Sequence, residues 1–151
     1  MTTYTIWVDG GCKNNGKESA SAYFSMAIID GNEFAVPFTL REERSSAHTH
    51  ALPSDIKATN NVAELYAWIT ALNYVRDWAE RAHSAGKTLP NIVVKGDSEY
   101  VINFIKGINK KTKTNQALIA NLKQLACKIA QLPSVTIEHV DREQVVEVLG
   151  H

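Results

Sequence analysis

The hydrophobic period of this chain switches at Asn61, and that switch limits the fold more than any other feature. Before it, apolar residues alternate: Tyr4, Ile6 and Val8 share one face of Thr3 to Val8, and Thr3, Thr5 and Trp7 share the other, the pattern of a strand. Alternation resumes over Ala20 to Ile29, Asp30-Gly31 supplies a hairpin turn with positive φ, and Glu33 to Leu40 returns as a third strand. Asp9 to Gly16, rich in Gly and Asn, reads as a loop. After the switch, Val62, Leu65, Ile69, Leu72, Val75 and Ala79 step by three and four. That is the stripe of a helix packed on a sheet, ending near Gly86.

The intervening Arg41 to Ala58 is polar, mixed in charge and carries Pro53, as an exposed connection would be. Ile92, Val93 and Val94 form a short buried strand within Asn91 to Lys95, followed by a short helix over Ser98 to Ile105. Leu118, Leu122, Leu125 and Ile129 fall at helical spacing within Gln116 to Leu132; Val135 to Val140 is a last strand and Arg142 to Leu149 a helical stub. The order β-β-β-α-β-α-α-β-α predicts an α/β fold. A hairpin feeds a sheet that becomes parallel through helical crossovers, giving a mixed five-stranded sheet flanked by helices.

A length of 151 residues predicts a single domain over 1–151. Forty-four per cent apolar content suits a packed core and excludes wholesale disorder. Sixteen basic and sixteen acidic residues cancel, so any surface for a polyanion must be local. Cys12 and Cys127 cannot build a disulfide framework and fit a reducing compartment. No apolar run nears the roughly 20 residues of a membrane helix. Met1 to Trp7 alternates, unlike a secretory signal. A cytoplasmic location, no membrane and no obligatory protein partner are the expectations.

Three carboxylates stand at element ends. Asp9 ends the first strand, Asp97 ends the fourth, and Glu64 lies in the first turn of the long helix. If those strands are neighbours, the two Asp share one sheet edge and a crossing helix can lower Glu64 between them. Three such carboxylates repel and shift one another's pKa values, unless divalent cations occupy the group. Hard oxygen donors suit Mg²⁺ or Mn²⁺, and two ions about 4 Å apart can clamp the oxygens of a phosphodiester displacement. Local readings compete: Asp9-Gly10-Gly11 as a turn, Asn61 with Glu64 as a capping box, and Asp97 as the N-cap of the next helix.

Ile6-Trp7-Val8-Asp9-Gly10-Gly11 running on to Gly16, Thr59-Asn60-Asn61-Val62-Ala63-Glu64-Leu65, Gly96-Asp97-Ser98-Glu99-Tyr100-Val101, and His139-Val140-Asp141-Arg142-Glu143-Gln144 are four segments that resemble type 1 ribonuclease H. The helix-opening segment is the most specific, and order and spacing agree across essentially the whole chain. The resemblance implies a sheet in the order 3-2-1-4-5 with strand 2 antiparallel. It implies a two-metal nuclease that cuts the RNA strand of an RNA–DNA hybrid and leaves 5′-phosphate ends. Asp9, Glu64 and Asp97 match the metal-binding catalytic carboxylates. Thr59, Asn60 and Asn61 match positions that touch nucleic acid, and Gly10, Gly11 and Cys12 lie where the family reads the RNA strand. Lys57 and Asn115 fall near positions that bind a DNA-strand phosphate in some members, and Arg142 could hold a phosphate.

Reading RNA requires close polar contacts to the 2′-OH along a shallow minor groove, which small and amide side chains allow. Lys106, Lys110, Lys111 and Lys113 form the one basic run, either a rail for the DNA strand or a solvated loop. The family's longer members carry a basic helical protrusion there, and this chain is too short to have it. His48 and His50 lack further metal ligands nearby and read as part of a disordered loop; His139 reads as a packing residue. Trp68 and Trp78 read as packing residues of the long helix, and Cys12 has no assignable base beside it.

One departure touches catalysis. The family's fourth acidic residue falls seven positions past Arg142, where this chain has Leu149, and the usual Asn four residues earlier is Val145. Several substitutes stay open. Glu147 could serve through a shifted helix register, although two residues turn a helix by about 200°. The C-terminal carboxylate or His151 could reach in, three carboxylates could suffice with slower turnover or a preference for Mn²⁺, or the chain could be degenerate or truncated. Retained but altered activity, with Glu147 as candidate, is the expectation. The alternatives are a catalytically silent module that binds hybrid or duplex RNA, and a resolvase- or integrase-like nuclease, which the Thr59 to Leu65 segment disfavours.

Overall fold

A computed structural model describes residues 3–13, 21–30, 33–34, 48–51, 59–107 and 115–149. The elements in chain order are β1 (Thr3–Lys13), β2 (Ser21–Asp30), β3 (Glu33–Phe34), β4 (His48–Ala51), α1 (Asn60–Ser84), β5 (Asn91–Gly96), α2 (Glu99–Ile105), α3 (Gln116–Ala130), β6 (Val135–His139) and α4 (Arg142–Leu149). They build a mixed sheet in the order β3-β2-β1-β5-β6, with β4 also paired to β2. β1 is antiparallel to β2 and parallel to β5, which is parallel to β6. Among the described residues no helix is long and apolar enough to cross a membrane.

Alternation along β1 divides the core. Ile6 and Val8 are fully buried on one face, in a cluster with Leu65, Trp68 and Leu72 of α1, Ile92 and Val94 of β5, and Leu122 of α3. Trp7 faces the other way and packs on a smaller cluster of Ala27, Val145 and Leu149, so α4 covers the opposite face. Trp68 and Trp78 are both buried in the larger cluster, the packing role their spacing predicts.

The structure corrects three local expectations. First, Gly10 to Lys13 belong to β1, paired through Lys13 with Ser21, rather than opening a loop at Asp9. The glycine at position 10 answers a packing need: a Cβ there would overlap the Ala63 carbonyl and the Glu64 nitrogen of α1.

Second, the expected third strand is described only as β3, and residues 35–40 lie outside the described part. Ile29 faces Phe34 and Asp30 faces Glu33, so an unbroken hairpin would set Met26 opposite Pro37. Met26 instead faces His48, eleven residues further along. Among the described residues the sheet thus keeps the expected five-strand order and adds β4 as a sixth strand segment paired to β2, and His48 and His50 lie in a strand rather than a disordered loop.

Third, the helix-start assignments move. The N-cap of α1 is Thr59, whose hydroxyl accepts from the Val62 N–H at 3.1 Å, and not Asn61 with Glu64. The N-cap of α2 is Ser98, accepting from the Val101 N–H at 3.3 Å, and not Asp97. The remaining helices and strands match their expected spans to within about two residues, the usual uncertainty of such ends.

Candidate active site

Topology brings the acids together. The parallel ladder of β1 and β5 ends at the pair Val8–Gly96. The next residue on each strand is an aspartate, so Asp9 and Asp97 emerge side by side across one strand spacing, about 4.8 Å. Gly96 helps here, because a Cβ would sit 2.7 Å from Trp68 Cζ2 and 3.0 Å from the Val8 carbonyl oxygen. Trp68 of α1 can therefore pack directly against the end of β5. Gly10 lets the first turn of α1 touch β1 backbone to backbone, and this delivers Glu64 from above.

Asp9, Glu64 and Asp97 each offer one oxygen within 4.8 Å of the other two. Asp9 and Glu64 are buried, at 1% and 7% exposure, and the Asp97 side chain is 10% exposed. Burial pushes the Glu64 carboxyl up to about 8; the charges of Asp9 and Asp97 add to the shift, while Arg142 and a hydrogen bond with the Gly10 backbone oppose it. Glu64 Oε2 is buried without a hydrogen-bond partner. An orphaned buried oxygen within a trio of carboxylates is what a hard divalent cation would satisfy, so these residues fit such a group.

Neither competing capping role survives at these acids, because the hydroxyl neighbours Thr59 and Ser98 do that work. Arg142, the first residue of α4, closes the group from the solvent side. Its Nη1 donates to Asp97 Oδ2 at 3.1 Å and lies 3.9 Å from Asp9 Oδ1. Slight burial works against its charge, but the hydrogen bond to Asp97 and the charges of Asp9, Asp97 and Glu64 raise its pKa further. The turn carrying it is anchored: Val140 N–H donates to the Gly96 carbonyl at 2.9 Å, and Asp141 N–H to Gln144 Oε1 at 3.3 Å. His139 Nε2 lies 3.2 Å from the Asp97 carbonyl oxygen, a contact at the site rather than in the core.

The other sequence candidates fall around this centre. Gly10 is buried, and Gly11 and Cys12 are half-buried further along β1. Thr59 is half-buried at the start of α1, with Asn60 and Asn61 exposed beside it. Asn115 caps α3 in the left-handed conformation, φ 57°, with no side-chain cap bond. Lys57, Lys110, Lys111 and Lys113 lie outside the described residues, and Lys106 is exposed at the end of α2. Glu147 is exposed and does not belong to the converging trio. Leu149 and Val145, one helical turn apart, are buried against Ala27. Sequence reasoning missed the pairing of Arg142 with Asp97. Its one signal was an arginine just after the strand that neighbours Asp97's own.

Sheet order and carboxylate trio together define the ribonuclease H-like class, of type 1 fold. The RNase H family model matches residues 1–144, and the chain belongs to that family. Solved structures agree on the fold. RNase H1 from the halophilic archaeon Halobacterium salinarum superposes with a TM-score of 0.63 at 20% identity, covering 98% of this chain and 92% of that one. LC11-RNase H1, which was isolated from compost by a metagenomic approach, was solved in complex with an RNA/DNA hybrid. In that complex it gives a TM-score of 0.67 at 21% identity, covering 96% and 90% of the two chains. The N-terminal RNase H domain of a Mycobacterium tuberculosis protein gives 0.62 at 20% identity, covering 99% and 92%. No curated protein matches the chain.

Proposed function

We propose that this protein is a divalent-metal-dependent endoribonuclease that hydrolyses the RNA strand of RNA–DNA hybrids and leaves 5′-phosphate ends. The observation that carries the reading is the convergence of Asp9, Glu64 and Asp97 with Glu64 Oε2 buried and unpartnered. Family membership and the hybrid held by LC11-RNase H1 support the substrate.

Asp9, Glu64 and Asp97 would hold Mg²⁺ or Mn²⁺, two ions in this reading. Bound there, such ions would supply Lewis acidity and lower the pKa of a water. The chain's own residues do the rest. Asp9 within β1 and Asp97 just past β5 hold their carboxylates at one place beside the β1 backbone. The Thr59 hydroxyl accepts from Val62 N–H and keeps its proton free to donate to a phosphate oxygen. Asn60 and Asn61 offer exposed amides at the positive end of α1, where a phosphate is favoured. Gly10 and Gly11 keep the floor low enough for a sugar 2′-OH to approach the backbone. Asn115 and Lys57 bind the DNA strand and Arg142 a phosphate in this reading, which treats residues 1–151 as one domain.

The test is a gel assay of labelled hybrid with Mg²⁺ and with Mn²⁺. The RNA strand is expected to be cut, and Asp9→Asn or Asp97→Asn to abolish the cutting. No cleavage by the intact chain at any metal concentration defeats the reading. Burial of Leu149 in the α4 cluster, where the family's fourth acid would be, favours a second one: a module that binds hybrid and leaves it intact. Cleavage that disappears with Asp9→Asn excludes that alternative.

A further inference from the structure

We propose that Arg142 is a tethered cation that competes with divalent ions for Asp97 and Asp9, and so sets the ion concentration at which the centre fills. This rests on the metal-centre reading above and concerns how that centre is regulated.

Arg142 reaches oxygens of Asp97 and Asp9 that an incoming ion would use. Its Nη1 is 3.1 Å from Asp97 Oδ2 and 3.9 Å from Asp9 Oδ1, so its single positive charge already lies against two of the three ligands. A divalent ion on the same oxygens would face a full positive charge at contact distance, and the two repel strongly.

The arginine is also free to leave. Its side chain is 63% exposed, so only the tip is engaged and the stem stands in solvent. It occupies the first turn of α4, where the helix dipole disfavours a cation. The acids, not the helix, therefore hold it inward. And it satisfies the cluster incompletely, because Glu64 Oε2 keeps no partner with Arg142 in place. A divalent ion reaching all three carboxylates brings twice the charge of the arginine and also serves Glu64. Ion loading and arginine docking then oppose each other, and by linkage each weakens the other equally.

Calorimetric titration of Mn²⁺ into the full chain at pH 8 tests this, comparing wild type with Arg142→Gln. Removing the competitor is expected to tighten Mn²⁺ binding about tenfold, within the usual range of coupling between sites. It is also expected to lower the melting temperature of the metal-free protein, with the difference closing at saturating Mn²⁺. Equal or weaker Mn²⁺ binding by Arg142→Gln, while wild type binds, overturns the proposal and leaves the metal centre standing. Absence of Mn²⁺ binding by either protein overturns both. A measurement on wild type alone guards against a variant that fails to fold: the Arg142 Nε–H resonance should shift as Mg²⁺ is added. A resonance that stays fixed while calorimetry records Mg²⁺ binding also overturns it.

Discussion

Glu64 binds a proton in the folded chain that the unfolded chain would have released. Below the ordinary value of 4.5 both states hold it and the group contributes nothing to the pH dependence. Between 4.5 and about 8 the folded state alone holds it, so stability falls as pH rises through that window. A shift of this size corresponds to on the order of 5 kcal/mol lost by pH 8. Denaturant titrations of the metal-free protein should therefore give lower stability at pH 8 than at pH 5. Glu64→Gln, which has no charge to bury, should flatten that decline while removing cleavage. Saturating Mg²⁺ should restore wild-type stability at pH 8 and release protons as it binds. Matching pH profiles for wild type and Glu64→Gln would contradict this account.

At the scale of elements, β1 and α1 are joined through Gly10, and the join sets the height of Glu64 over Asp9. Gly10→Ala would drive a methyl into the backbone of Ala63 and Glu64. Both elements are long and well paired, so the strain has little room to relax; a loss of about 2 kcal/mol or more is expected, readable as a shift in the denaturation midpoint. An alanine variant as stable as wild type would show that α1 can ride away from the strand. The elements with a continuous apolar stripe, such as α1 and α3, were legible in sequence because burial dictates their period. β4 was not, since His48–Ala51 has no apolar alternation of its own and takes its place from the open edge of β2. The continuation of β1 past Asp9 was hidden for a related reason: glycine serves turns and close backbone contacts alike. The three acids could be named from their segments, but the hydroxyl caps beside them and the arginine facing them depend on which strand ends meet in space.

Across the whole molecule the sixteen positive and sixteen negative side chains leave no net field to draw in a polyanion. An acidic centre would by itself repel a phosphate backbone, so attraction must come from bound cations and from a few local basic groups. Hybrid binding, followed by fluorescence anisotropy with Ca²⁺ in place of Mg²⁺, should weaken about tenfold or more between roughly 50 and 200 mM KCl. An affinity indifferent to salt would point to recognition by stacking or shape without phosphate contacts. The division of labour at the two helix starts reaches further. Because Thr59 and Ser98 secure α1 and α2 by themselves, the carboxylates next to them contribute chemistry and little architecture. On the proposed function, a lineage could therefore lose one of these acids in one mutational step and keep a folded remnant that still grips hybrid, and a protein engineer could swap the same side chains for softer donors to recruit a different metal on an unchanged chassis.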